Sequence, residues 1–92
     1  MAFEWPVFTR ELLGGGHSWS ATFESYDQYR ELFYFRVQTF RGDNPAEEFV
    51  AQIGSEFAGD DWTSPEFHAA LRSRLADAAA RKAGIPRLVV VR

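Results

Sequence analysis

Hydrophobic and polar positions alternate in three runs along the first forty residues of the chain. The runs span residues 3–7, 18–24 and 29–40. Side chains of a strand point alternately to its two faces, so each run predicts one strand of a sheet. Pro6 cannot donate to a sheet ladder, which favours an edge position for the first strand, and this strand can extend through residues 12–13.

Glycines and aromatic residues indicate the first turn and the core face of the strands. Gly14–Gly16 can adopt the positive φ angles of a tight turn, which predicts a hairpin between the first two strands. The side chains expected to face the core are Trp19, Ala21, Phe23, Phe33, Phe35 and Val37. The other face of the third strand carries Tyr34, Arg36, Gln38 and Phe40.

The hydrophobic period changes at residue 44, where a helix-start signal occurs. Asn44, Pro45 and Glu47 have the order of an N-cap, a first-turn proline and a capping-box acid. Apolar residues then follow at helical spacing, namely Phe49, Val50, Ile53 and Phe57. We therefore expect a first helix that ends near residues 58–59.

A second start signal occurs at Ser64, which is followed by Pro65 and an acidic residue. The apolar stripe of this second helix is Phe67, Leu71, Leu75 and Ala78 or Ala79. Basic residues suit its last turn, Gly84 can take the left-handed cap, and Pro86 blocks any continuation. These signals predict a helix between residues 65 and 83.

The C-terminal segment Leu88–Val91 is apolar at four consecutive positions, which predicts a strand that is covered on both faces. The fold class is therefore expected to be α+β, in the order β-β-β-α-α-β. We expect a single domain over residues 1–92, with a mainly antiparallel four-stranded sheet and two helices packed on one face. The opposite face is then partly solvated or covered by another protein.

Composition excludes several classes of protein. Hydrophobic residues make up 46% of the chain and aromatic residues 16%, so it should fold without a cofactor. Cysteine is absent, which excludes disulfides, thiolate nucleophiles and Cys-based metal sites. The N-terminus lacks a secretory pattern and no run of residues is long enough to span a bilayer, so we expect a cytoplasmic protein without membrane contact.

Catalytic and metal-binding patterns are weak. His17 and His68 are the two histidines and show no ligand spacing, so no metal site is assigned. Gly14–Gly16 leads into a predicted strand, whereas phosphate-binding loops lead into a helix; a hairpin turn is the simpler interpretation, with a ligand or partner loop as the alternative. No catalytic residue is assigned, and the sequence leans away from an enzyme.

Protein binding is the preferred function. Tyr34, Arg36, Gln38 and Phe40 combine aromatic and arginine side chains of the kind enriched in interfaces, although cross-strand packing explains them as simply. Val89 and Val91 belong to the apolar tail and complete the predicted protein-binding set. The expected partner is another protein or an identical subunit in a homodimer, and the expected role is regulatory, inhibitory or immunity-type.

The charge distribution leaves a second possibility open. The net charge is −3, yet residues 41–66 carry seven acids against Arg41 alone, and residues 67–92 carry six bases against Asp77. An accessory protein that binds nucleic acid would use the basic residues of the second helix, which are Arg72, Arg74, Arg81 and Lys82. A small enzyme with an unrecognised site is the remaining alternative.

Overall fold

A computed structural model describes residues 5–59 and 61–85, and in this part of the chain one α-helix lies across one face of a four-stranded antiparallel sheet. The elements in chain order are β1 (Phe8–Gly14), β2 (His17–Asp27), β3 (Leu32–Arg41), β4 (Asn44–Gly54), a short 3-10 helix (Ser55–Phe57) and α1 (Pro65–Ala83). The strands lie in the order β1-β2-β3-β4, so each pairs with its neighbour in the chain.

Two glycine turns at one end of the sheet connect β1 to β2 and β3 to β4. Gly15 and Gly16 have φ angles of 61° and 79°, which is the left-handed conformation that a two-residue hairpin turn requires. Gly42 has a φ of 60°, and its N–H donates to the Gly16 carbonyl at 2.7 Å. The predicted glycine hairpin is confirmed, and the two turns are tied to each other.

The prediction of a helix over residues 44–58 is wrong, because this segment forms β4 and the short 3-10 helix. Phe49 pairs with Val37 of β3, and the buried positions are Ala51 and Ile53, so burial follows a period of two. A helical stripe would have placed Val50 beside Phe49, but Val50 lies on the other face and is 42% exposed. Pairing with β3 therefore outweighs the local helix signal.

The edge strand at the N-terminus begins later than its alternating pattern suggested. Residues 5–7 have no strand structure, and residues 3–4 lie outside the described residues. β1 starts at Phe8 and includes residues 12–13, which is the predicted extension. The register is irregular between Phe8 and Glu11, as expected where an edge strand bulges.

The helix predicted after residue 64 is confirmed as α1. The Ser64 hydroxyl accepts a hydrogen bond from the Phe67 N–H at 3.1 Å, and Pro65 occupies the first turn. Gly84 has a φ of 75° and caps the C-terminus with bonds from its N–H to two carbonyls of the last turn. The buried side chains of α1 are Phe67, Leu71, Leu75, Ala76, Ala79 and Ala80.

The described residues therefore follow the order β-β-β-β-α instead of β-β-β-α-α-β. The sheet has four antiparallel strands, as predicted, but its fourth strand is Asn44–Gly54. The strand predicted at Leu88–Val91 lies outside the described residues. One α-helix covers the sheet where two were expected, because the predicted first helix is a strand.

The core lies between α1 and one face of the sheet. Phe33, Phe35 and Val37 of β3 are fully buried there, as predicted from their alternation. An aromatic cluster fills the end of this core nearest the start of α1, with the Trp5 ring stacked on Phe23 at 3.8 Å between centroids. Its other members are Tyr26, Phe57, Trp62 and Phe67. Stacked and edge-on ring pairs of this kind add to the burial energy.

No helix within residues 5–59 and 61–85 has both the length and the apolar character needed to cross a bilayer.

Candidate functional site

The residues predicted to bind protein on β3 lie on the sheet face opposite α1, which we call the open face. Arg36 sits at its centre, with its Nε 3.0 Å from Glu24 Oε2 and its Nη1 3.7 Å from Glu48 Oε1. The Gln38 amide donates to the carbonyls of Thr39 and Glu47. The polar groups at the centre of the open face therefore already have partners within the chain.

Phe40, at one end of the open face, is covered by Arg10. The Arg10 guanidinium carbon lies 4.0 Å from the centre of the Phe40 ring. The same guanidinium donates to Ser18 Oγ at 3.1 Å and to the Gly42 carbonyl at 3.2 Å. A recess of about 620 Å³ opens beside Arg10 between the two glycine turns. Asp43 Oδ1, 3.8 Å from Arg10, lowers the positive potential there, so the recess is weakly suited to anions.

The four basic residues predicted to bind nucleic acid do not share one surface. Arg72 points towards β1, where its Nε is 3.4 Å from Glu11 Oε1. Arg74, Arg81 and Lys82 instead line recesses between α1 and β4. Successive residues of an α-helix are rotated by about 100° around its axis, which places Arg72 about 180° from Arg81. Val89 and Val91, the other two predicted contacts, lie outside the described residues.

A groove runs along the outer edge of β4 beside α1, and we call it the edge groove. It consists of two recesses, of about 430 Å³ and about 210 Å³, which share Gln52 and Arg81. Phe49 and Ala51 line it from the helix side of β4, whereas Val50 lines it from the open face. Because the residues that line both recesses belong to β4 and α1, and β4 is the last strand in the sheet order, we place the groove along the edge of β4.

The charges of the edge groove come mainly from α1. Arg74 lies with its guanidinium carbon 4.3 Å from the centre of the Phe57 ring, and the Lys82 ammonium lies 5.7 Å from the centre of the Phe49 ring. Arg81 is exposed and lines both recesses. Asp77 is the acidic residue among those that line the groove. Three cations and one carboxylate thus give the groove a positive potential.

Sequence reasoning missed the edge groove because it assigned β4 to a helix. One signal pointed to the strand: Gly42 and Asp43 can form a two-residue hairpin turn after β3. The basic half of the groove was identified in the sequence. The position of these basic residues beside a sheet edge depends on how α1 packs on the sheet, which no local sequence pattern predicts.

The histidines and acidic residues lie apart from one another in the part of the chain that the structure describes. No group of three or more potential metal ligands occurs among these residues. His17 lies opposite Arg41 in the register of β2 and β3, at the C-terminal end of β3. The His68 ring lies edge-on to Phe67, near the N-terminal end of β3. The Thr63 hydroxyl and backbone N–H donate to Asp61 and hold its pKa below the ordinary value of 3.8, which stabilises an exposed turn.

Comparison of the chain with protein-family models, with curated proteins and with solved structures finds no match in any of the three. Function is therefore inferred from the geometry of this chain alone.

Proposed function

We propose that this protein is a non-catalytic protein–protein interaction module that binds an extended segment of another protein along the outer edge of β4. The observation that carries this proposal is the edge groove, which follows β4 and is walled by α1. Among residues 5–59 and 61–85, no strand pairs with the outer edge of β4. An extended peptide can add to such an edge through main-chain hydrogen bonds, while side-chain recesses provide specificity.

The edge of β4 offers more binding energy than the open face. Arg36 is bonded to Glu24 and Glu48, and Gln38 donates to two carbonyls, so a partner on the open face gains few new polar contacts. The outward N–H and C=O groups of an edge strand, by contrast, can form main-chain hydrogen bonds with an added strand. The edge therefore replaces the open face as the favoured part of the predicted interaction surface.

The dimensions of the groove suit a short segment. The β4 residues that line it run from Phe49 to Gly54. Six strand residues extend about 20 Å, so a bound segment of six or seven residues fills the groove. A module that occupies such a segment of its partner is well placed for the regulatory, inhibitory or immunity-type role expected from the sequence.

Amide hydrogen exchange tests the proposal. A displayed library of random 12-residue peptides is selected against the immobilised full chain, and exchange along β4 is measured by NMR with and without the best peptide. In the free protein we expect alternate amides from Phe49 to Gly54 to exchange quickly, because every second N–H points away from β3. Added peptide should slow these outward amides.

Backbone methylation of the peptide supplies the matched control. Two versions carry N-methyl groups at alternate positions, one on the odd residues and one on the even residues. Strand addition predicts that one version loses binding and the other keeps it, since only one set of peptide N–H groups faces β4. Equal affinity of the two versions, or protection confined to β3, would contradict the proposal. Uniformly slow exchange in the free full chain would also contradict it, because the edge would already be covered by a second copy or by residues 86–92.

A further inference from the structure

We infer that the segment bound in the edge groove alternates acidic and apolar side chains, with the acidic side chains facing α1. This inference rests on the proposed strand-binding function and specifies the partner's chemistry. It depends on the cations of the groove, on their spacing and on the charges across the sheet edge.

The cations lie where alternate side chains of an added strand would point. Arg74 and Arg81 lie within about 20° of each other around the helix axis, because seven residues make almost two turns. Both line the groove next to Gln52. Lys82 extends this basic side towards Phe49. Alternate side chains of a strand added to β4 point to the side of the sheet that carries α1 and so approach these three cations.

The spacing along α1 matches that of a strand. Arg74 and Arg81 are separated by about 10 Å along the helix axis at 1.5 Å per residue. Side chains on one face of a strand recur at about 7 Å, so carboxylates two or four residues apart reach both guanidinium groups through flexible side chains. Arg74 and Lys82 also rest against aromatic rings, which limits the conformational freedom lost when they bind a carboxylate.

On the open face, β4 favours apolar side chains in the bound segment. On that side β4 carries Glu48, whose carboxylate lies near Arg36, Val50, which is 42% exposed, and Gln52, which lines both recesses of the groove. An apolar side chain of the added strand covers Val50, whereas an acidic one meets repulsion from Glu48. Opposite preferences on the two sides fix which face of the bound strand is acidic.

The chain's own C-terminus has the wrong charge for this groove. Residues 86–92 contain Arg87 and Arg92 and no acidic side chain. An arginine in the groove would meet like charges at Arg74 and Arg81 and the single carboxylate of Asp77, so the balance of charge is unfavourable. The occupant we infer is therefore a segment of a different protein that carries acidic residues.

Three capped nonapeptides test the inference: valine alternating with glutamate, with glutamine or with lysine. Binding to the full chain is measured by fluorescence anisotropy at low salt and again at about 0.3 M salt. We expect the glutamate peptide to bind about 10-fold more tightly than the glutamine peptide, which corresponds to two or three exposed ion pairs. The lysine peptide should bind most weakly, and the differences should shrink at high salt.

Two variants locate the effect. Arg81→Gln combined with Lys82→Gln should bring the affinity for the glutamate peptide down to that for the glutamine peptide. Arg72→Gln is the matched control, because it removes a cation from the same helix on the side that faces β1. It should leave the preference for glutamate unchanged. Thermal melts of both variants confirm that each is folded at the assay temperature.

The remaining outcomes separate the two proposals. Equal affinity for the glutamate and glutamine peptides overturns the acidic preference while strand binding stands. Failure of all three peptides overturns the acidic and apolar pattern alone if the library-selected peptide still binds and slows exchange in β4; failure of the selected peptide as well overturns both proposals. A 12-nucleotide oligo-dT strand is tested in parallel. If it binds more tightly than the glutamate peptide, and if this binding is lost in the Arg81 and Lys82 variant, the groove binds phosphates and the inference is overturned.

Discussion

The hydroxyl of Thr39 holds the first half of β4 against β3, and its removal is expected to loosen this contact. Thr39 Oγ1 accepts a hydrogen bond from the Glu47 N–H at 3.0 Å and donates to the Glu47 carbonyl at 3.4 Å. These bonds bridge the irregularity in register between Gln38 and Phe40. Thr39 itself is fully buried. Thr39→Val keeps the shape of the side chain and removes both bonds.

We expect Thr39→Val to lower the free energy of unfolding by about 1 kcal/mol, because a net hydrogen bond contributes about 0.5–1.5 kcal/mol. The second bond is long and Glu47 is exposed, so water replaces part of the loss. For a domain of this size, about 1 kcal/mol lowers Tm by about 4–8 °C. Circular dichroism during thermal and urea denaturation measures the change, and NMR exchange of the Glu47 amide shows where it occurs.

Thr39→Ser provides the control, since it keeps the hydroxyl and removes a buried methyl group. It should also lose about 0.8 kcal/mol of stability, but the Glu47 amide should remain slow to exchange. A valine variant with unchanged Glu47 exchange and stability within about 0.3 kcal/mol of the parent would refute this account of how β4 is held.

Three further predictions concern α1 and the turn before it. Leu75→Ala removes a fully buried side chain and should lower the free energy of unfolding by about 2–5 kcal/mol in urea denaturation; a change below about 1 kcal/mol would mean that α1 is not packed on the sheet. Ser64→Ala should cost about 1 kcal/mol and speed exchange of the Phe67 amide, whereas Ser64→Asp should not; equal losses would exclude a capping role. Because the folded-state pKa of Asp61 is depressed, its contribution to stability is present above the unfolded value and is lost as pH falls through the folded pKa. An NMR titration should place this pKa below 3.8, and Thr63→Val should raise it; an unshifted titration in the variant would contradict the assigned cause.

The limits of α1 were predictable because its signals are local. Ser64 bonds an N–H three residues away, Pro65 constrains its own φ, and Gly84 adopts a conformation that other residues avoid. None of these effects requires a partner from elsewhere in the chain. The two strands with the clearest alternation, β2 and β3, were likewise identified from their own side chains.

β4 was not predictable by the same means, because its signals compete. Asn44, Pro45 and Glu47 form a helix start in sequence, yet the Glu47 N–H is bonded by Thr39 of the preceding strand. Phe49 and Ile53 fit a helical and an alternating period equally well, because they are four residues apart. The choice between the two depends on pairing with β3, which is tertiary information.

The candidate site was predicted only in part. The sequence identified the basic residues of α1 but grouped Arg72 with Arg81, although the two lie about 180° apart around the helix. Nothing in the sequence placed Arg74 and Arg81 beside a sheet edge, since that edge belongs to the segment assigned to a helix. Tyr34 and Arg36 were correctly grouped on one face of β3, because alternation alone determines which side chains share a face.

The order of the strands also determines how the chain reaches its folded state. Each strand of the meander pairs with its neighbour in sequence across a loop of two to four residues, so hairpins close with little loss of loop entropy. The contacts of α1 with β1 and β2 span much greater separations in sequence. Because local hairpins form in microseconds, we expect docking of the helix on the assembled sheet to be the slow step of folding. Substitutions in the α1 core should therefore change the folding rate more than substitutions in the glycine turns.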